Sequence, residues 1–209
     1  MYVPAQYSEQ RQEELRRIIE THPLGILVTS SSDGLDGDHL PFEYDPTRGA
    51  FGTLTAHVAR ANPVWQRCPS GSKVLVMFRG ADAYVSPNWY PSKHETHREV
   101  PTWNYEAVHA WGTLTVMDEQ RFVARAVARL TRRHETGEPL PWKMSDAAPD
   151  FLKQVLQKIV GIEIAVTALQ GKSKLSQNKS PRDRDGVVQA LSARGQHELS
   201  ALVDRPPTA

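Results

Sequence analysis

Between Thr53 and Asn62 the sequence reads TLTAHVARAN. Two hydroxyls (Thr53, Thr55), an imidazole (His57), a guanidinium (Arg60) and an amide (Asn62) fall where a strand hands over to a helix. Cationic and neutral donors beside the free N–H groups of a helix start form a phosphate cradle. The same residues also read as a capped helix start with a surface arginine. A second group, GKSKLSQNKS, crowds Lys172, Lys174, Ser176, Gln177, Asn178 and Lys179 into one short segment. Cations and neutral donors with few acids between them suit an anionic ligand. Asp183 and Asp185 follow at once, so a solvated, charge-rich loop is the competing reading.

A third group occupies SPNWYPSKHETHREVPTWNY, residues 86–105. Ser86, Trp89, Tyr90, Lys93, Trp103 and Asn104 would make a wall for a flat ring or a subunit interface, because aromatic side chains give large rigid contact area with a polar handle. Pro87, Pro91 and Pro101 stiffen the segment and lower the entropy lost in holding those rings. The alternative is a loop folded on its own core. The histidines His39, His57, His94, His97 and His109 are scattered, with His94 and His97 three apart, Glu95 between them and Glu99 beyond. There is no HExxH and no CxxC, so a structural zinc site is not expected. A GxSxG elbow, a GxGxxG turn and a Walker loop are also missing from the sequence.

These residues need elements to hold them. Residues 8–21 read as a helix capped by Ser8, with Leu15, Ile18 and Ile19 on one face. Residues 24–30 form a β-branched apolar run, and Asp33-Gly34 is a hairpin signal within the turn SSDGLDGD. Residues 39–45 and 50–56 give the next strands. Asn62-Pro63 reads as N-cap and first helical residue. Residues 73–80 are an apolar strand, which 82–86 continue or bend. Residues 107–117 form a strand with Gly112 as a bulge or close-approach site. Asp118 is expected to cap a helix whose face carries Phe122, Val123, Ala126, Val127 and Leu130. Residues 150–161 read as a helix stopped at Gly161, 162–172 as a strand, and the remainder as weakly helical with a loose tail at 205–209. Six or seven mostly antiparallel strands with helices inserted late predict an α+β protein, an antiparallel split β-barrel with helices packed outside. The expected organisation is one domain over 1–209, with 174–209 as a C-terminal extension carrying a ligand-binding loop and a weak helix.

The 209 residues suffice for a real core, and 39% hydrophobic with 23% charged residues is a folding composition. Lys and Arg number 25 against 24 acids, which argues against a dedicated nucleic-acid surface. Cys68 is the one cysteine, so no internal disulfide forms and a reducing compartment fits. The first residues lack an apolar signal core, and no run approaches the roughly 20 apolar residues of a membrane helix. A cytoplasmic protein is expected.

Several long strings occur together in order: MYVPAQY, HLPF, GTLTAHVARANPVW, FRGADAYVSPNWYPSK, VPTWNY, AVHAWG and IVGIEIAVTALQGKSKLSQNKSPRDRDGVV. With them the chain resembles the PaiB-type family of FMN-binding negative transcriptional regulators. That family adopts the FMN-binding split barrel also found in pyridoxamine 5′-phosphate oxidase. The resemblance implies a homodimer with FMN in a groove between subunits, the aromatic segment building the dimer and bordering the flavin. It places Thr53, Thr55, His57, Arg60 and Asn62 where the oxidases supply phosphate ligands. The oxidase pattern has an adjacent Arg-Lys pair, whereas this chain has Arg60-Ala61. Lys172, Lys174, Ser176 and Gln177 are therefore expected to complete the phosphate site, with Trp89, Lys93 and Trp103 beside the cofactor. No catalytic residue of the oxidase carries over. Three functions follow: a flavin-dependent oxidoreductase or redox sensor, a transcriptional regulator without turnover, or a haem-binding relative with one of the five histidines as axial ligand. Neither a helix-turn-helix nor a basic excess points to direct DNA binding.

Overall fold

The computed structural model describes residues 1–205. The strands are β1 (Ser8–Glu9), β2 (Leu24–Ser31), β3 (Gly34–Pro41), β4 (Glu43–Asp45), β5 (Thr53–Ala59), β6 (Lys73–Val85), β7 (Thr102–Met117) and β8 (Ile159–Lys174). The helices are α1 (Gln12–Thr21), α2 (Val64–Arg67), α3 (Pro91–Thr96), α4 (Gln120–Glu135), α5 (Pro149–Leu156), α6 (Pro181–Ser192) and α7 (His197–Asp204). The strands form one antiparallel sheet in the order β3-β2-β6-β7-β8-β5-β4, with β1 added to β8. The class is the α+β split barrel read from the sequence, built with eight strands rather than six or seven.

The chain divides into two compact units. One comprises His22–Phe78 and His109–Leu169. A hairpin forms where the Asp33-Gly34 signal predicts one, but one residue earlier: Ser31 pairs with Gly34, so the two-residue loop is Ser32-Asp33. Strand β3 then starts at Gly34, so LDGD is strand and not turn; its residues pair with β2 throughout although none of them is buried. Alternation along β2 buries Gly25, Leu27 and Thr29. Phe42 and Phe78 meet edge to face, 5.7 Å between centroids. A Cβ on Gly25 would come within 2.8 Å of the Phe78 ring, so only glycine lets these rings close on the strand. Leu54, Ile162 and Ile164 complete the interior where β5 pairs β8. Each such burial stabilises by about 1.5–3 kcal/mol.

Helix α4 buries Phe122, Val123 and Ala126, and Arg132, Arg133 and His134 in its last turn complement the helix dipole. Its N-cap is Glu119, not Asp118, whose carboxylate faces Arg60 instead. The helix expected over 150–161 ends at Leu156, and Gly161 lies inside β8. A Cβ there would meet the Phe122 ring at 2.7 Å and the Met117 carbonyl at 2.8 Å, so this glycine serves close packing and not helix termination. Gly112 is a close-approach glycine as expected, its absent Cβ lying 2.5 Å from Ile164.

The other unit comprises Met1–Thr21, Arg79–Val108 and the chain from Gln170. The expected helix over 8–21 begins only at Gln12. Ser8 and Glu9 pair with Lys172 and Gly171 as a strand, so Ser8 does not cap the helix, and the Glu9 carboxylate accepts the N–H of Arg11, the residue before the helix, at 2.9 Å. Leu15, Ile18 and Ile19 are buried as predicted. The aromatic stretch resolves into a 3-10 turn (Pro87–Trp89), α3 and the start of β7. Val85, Tyr90, Val187, Leu191, Leu199, Leu202 and Val203 form its core. Ser180 caps α6 by accepting the Asp183 N–H. Beyond Arg205, the tail expected to be loose lies outside the described residues.

Candidate functional site

Strand β8 runs two residues further than its apolar pattern, and its period of two separates Lys172 and Lys174 from Ser173. Ser173 is buried and its hydroxyl donates to Glu106 at 3.1 Å. Lys172 and Lys174 are half-buried. The Lys172 ammonium donates to the Tyr2 carbonyl at 3.3 Å and sits 5.1 Å from the Tyr105 ring centre. Lys174 donates to the Thr102 hydroxyl and lies 6.0 Å from the Tyr7 ring. Lys179, past the strand end, pairs with Glu99 and stands 4.7 Å from the Tyr90 ring. Among the described residues, only Lys179 of these three has a carboxylate partner. Burial lowers the pKa of Lys174; Tyr105 opposes this, while Lys172 and Lys179 push it lower still. Cations that crowd one another without an acid between them favour an anion.

The segment after Lys174 is held by side chains. Gln177 Oε1 accepts the Leu175 N–H at 2.7 Å, and its Nε2 donates back to the Ser173 carbonyl. Ser176 lies in the left-handed region at φ 62, which non-glycine residues rarely occupy. Its hydroxyl accepts from Asn104 Nδ2 at 2.9 Å in the interior. Burial pushes the Tyr90 hydroxyl up to about 12, which keeps it neutral. Trp103 is 52% exposed and meets Tyr84 edge to face at 6.1 Å. Trp89, by contrast, packs on the core, with the Arg194 guanidinium 4.6 Å from its ring. The Lys93 ammonium donates to Asn88 Oδ1 at 2.8 Å.

The earlier group, Thr53 to Asn62, belongs to the other unit. Thr53 and Thr55 are buried in β5, and the Thr53 hydroxyl donates to the Arg48 carbonyl at 3.0 Å. Burial holds the His57 imidazole below its ordinary value, so it is neutral at pH 7. Arg60 donates to Asp118 Oδ2 at 2.9 Å and to the carbonyls of Gln157 and Ile159, 2.8 and 3.2 Å away. That guanidinium already faces a carboxylate. Asn62 Nδ2 donates to Asp38 at 2.6 Å while its Oδ1 accepts the Val64 N–H at 2.9 Å. The helix starts at Val64, one residue past the expected proline, and lasts a single turn.

The structure thus brings together Lys172 and Lys174, and links Ser176 with Asn104 and Gln177 with the backbone beside them. Sequence reading missed Thr102, Tyr105, Tyr7 and the buried pair Arg17–Glu106. Glu106, 1% exposed, receives both bonds of one Arg17 nitrogen at 2.7 Å. Its signal was present: Asn104 and Glu106 hold alternate positions whose next member, Val108, is apolar and buried. A polar residue at core parity needs a partner.

Three comparisons bear on this arrangement. A family model described as "Putative FMN-binding domain" matches residues 1–168. The Bacillus subtilis "Protease synthase and sporulation protein PAI 2" is 30% identical over 191 residues, covering 91% of this chain and 89% of that protein. An uncharacterized Aspergillus fumigatus protein is 32% identical over 240 residues, covering 93% and 92%. Among solved structures, the FAD and heme binding protein from Mycobacterium smegmatis superposes with a TM-score of 0.61 at 16% identity, over 88% of this chain and 80% of that one. The flavocytochrome Anf3 from Azotobacter vinelandii gives the same TM-score at 11% identity, over 80% and 69%. At such identities the two structures establish a shared fold.

Proposed function

The chain belongs to the FMN-binding domain family, and from that premise we propose that it is a flavin redox protein in which Lys172 and Lys174 neutralise the FMN phosphate. The observation that supports this reading is the lysine pair itself: two half-buried ammonium groups on one side of β8, with no carboxylate between them. A phosphate carries close to two negative charges at neutral pH and three acceptor oxygens. Two point cations and a hydroxyl, that of Thr102, are the donors such a group needs. The residues present therefore fit the phosphate end of FMN. Bound there, FMN supplies electron transfer that no side chain here can perform.

The protein's own contribution is binding and positioning. Lys172 and Lys174 hold the anion. Gln177 and the Asn104–Ser176 bond fix the chain that leaves the strand, so the lysines keep their spacing. Trp103 and Tyr84 offer exposed rings, which suit either a flat cofactor face or the contact of a homodimer. Among the described residues no helix is long and apolar enough to cross a membrane.

The test starts with the absorption spectrum of the purified protein and chromatography of what heat releases. A flavin band near roughly 450 nm with released FMN is expected; a band near roughly 400 nm would indicate haem instead. Fluorescence titration of apoprotein with FMN then compares Lys172→Gln/Lys174→Gln with His57→Ala/Arg60→Ala. The first double variant should weaken FMN about a hundredfold, two charge-assisted contacts being lost. If only the second weakens it, the phosphate belongs at Arg60 and the lysine assignment fails.

A regulatory role is the second reading, favoured by the 30% identity to the sporulation protein. It predicts DNA binding whose affinity falls steeply with salt. Binding without that dependence, or none, leaves the redox role alone.

A further inference from the structure

A cavity of about 480 Å³ lies within the unit that contains both chain ends of the described structure. It is lined from four stretches: Glu9 and Glu14 near the start, Glu106 from β7, Ser173 from β8, and Arg184 of α6 with Arg205 just past α7. Ser173, not Lys172 or Lys174, faces it. The cavity therefore lies off the lysine side of the strand.

Its charges do not cancel. Glu9 is held by Arg11 through a side-chain pair and a backbone N–H. Glu106 and Glu14 are held by Arg17 at 2.7 and 2.8 Å, and Arg205 adds a longer contact to Glu14 at 3.3 Å. Three guanidiniums and three carboxylates line the cavity, and Arg17, which is not among the lining residues, adds a fourth cation behind the wall. The guanidinium without an acid is Arg184. Its NH2 group donates to the carbonyls of Val203 and Arg205, its Nε is buried without a partner, and its NH1 makes no hydrogen bond among the described residues. Gln6 is exposed at the rim, its amide likewise free of partners within the described chain.

We propose that this cavity binds a small monoanionic carboxylate bearing hydroxyl or amide groups, anchored on the Arg184 guanidinium with Gln6 at the rim. The volume falls within the range of small-molecule pockets. One surplus guanidinium matches one negative charge, and its planar fork suits a carboxylate. The three wall carboxylates are already paired with arginines, so a dianion would bring a second charge with no free cation to meet it, which selects against phosphate and sulfate. The wall is built of ion pairs and side-chain–backbone bonds already in place, so a ligand orders little and the site is preorganised.

The test uses the full chain with its flavin bound. Isothermal titration calorimetry is run with sodium gluconate and N-acetylalanine, against sodium sulfate and sodium chloride at matched ionic strength. At least one carboxylate should bind with a Kd below about 1 mM, and sulfate should bind at least about tenfold more weakly, given the strength of charge-assisted pairs. Arg184→Gln should weaken the carboxylate about tenfold or more. Because Arg184 also ties α7 to α6 through two carbonyls, Gln6→Glu serves as the second variant: it is exposed, it adds a negative charge at the rim, and it should weaken binding several-fold with thermal stability unchanged. FMN affinity should be the same in both variants, which separates this site from the lysine site. No binding of either carboxylate overturns the proposal, as does tighter binding of sulfate or a carboxylate affinity indifferent to both substitutions.

Discussion

Asn104 Nδ2 and Ser176 Oγ lie 2.9 Å apart in the interior, joining β7 to the segment just past the end of β8. Ser176 holds its left-handed backbone at the acceptor end of this bond, and Asn104 Oδ1 is buried without a partner. One bond thus supports an unfavourable backbone angle and partly satisfies a buried amide. The residues on either side of it are those that fix Lys172 and Lys174.

Asn104→Ala should lower stability by about 1–3 kcal/mol, the usual cost of breaking a buried hydrogen bond and leaving one partner unmade. The midpoint of urea unfolding should fall with an unchanged slope. Ser176→Gly should cost less than Ser176→Val, since glycine adopts φ 62 freely and a β-branched residue does not.

Binding of FMN should take up a proton at alkaline pH. Lys174 is held below its ordinary pKa, first by burial and then by Lys172 and Lys179, with Tyr105 opposing. In the apoprotein its proton leaves at a lower pH than from an ordinary lysine. A bound phosphate favours the charged ammonium and raises that value again. Affinity is therefore full below the lowered value and declines as pH rises through it. Without FMN the sense reverses: a depressed lysine makes folding more favourable as pH rises through the same window. Calorimetry above pH 8 in two buffers of different ionisation heat measures the uptake, and Lys174→Gln should abolish it.

Gly186→Ala should destabilise the protein although it lies within α6, where alanine normally gains about 1 kcal/mol over glycine. A Cβ at this position would lie 2.1 Å from the Trp89 carbonyl oxygen and 3.2 Å from the Pro91 ring. Overpacking of this kind costs about 1–3 kcal/mol. A stabilised variant in thermal unfolding would show that α6 can shift away from the aromatic segment.

Arg17→Met should cost about 3–5 kcal/mol, because it strands the buried Glu106 carboxylate. Adding Glu106→Leu should recover most of that loss. The double-mutant cycle measures the coupling; a single variant as stable as the parent would place the value of the pair in something other than charge.

Much of the fold was legible because its signals are local. The Asp33-Gly34 hairpin, the Leu15–Ile18–Ile19 face and the strand at 24–30 each follow from residues near one another. What escaped depends on distant partners. Gly161 looks the same in sequence whether it ends a helix or admits the Phe122 ring, and only packing decides between them. Ser8 reads as a cap because nothing local reveals that it pairs with Lys172. Asp118 likewise gave its carboxylate to Arg60, 58 residues away. For the site, the lysines were legible as a charge cluster, but ending the strand at 172 hid their alternation with Ser173. The aromatic segment divides into exposed Trp103 and core-packed Trp89, a distinction no spacing within 86–105 contains.

The two-residue repeat of β8 also constrains how this protein can change over generations. One inserted or deleted residue between Gly171 and Lys174 would exchange the sides on which serine and lysine stand, turning ammonium groups toward Glu106 and a hydroxyl toward Thr102 and Tyr105. Point substitutions can be accepted there one at a time, but a shift in length cannot, because it alters every position downstream together. Length differences among related chains should therefore gather in connections such as 136–148, where no strand counts the residues, and the end of β8 should keep its spacing even where its residue types drift.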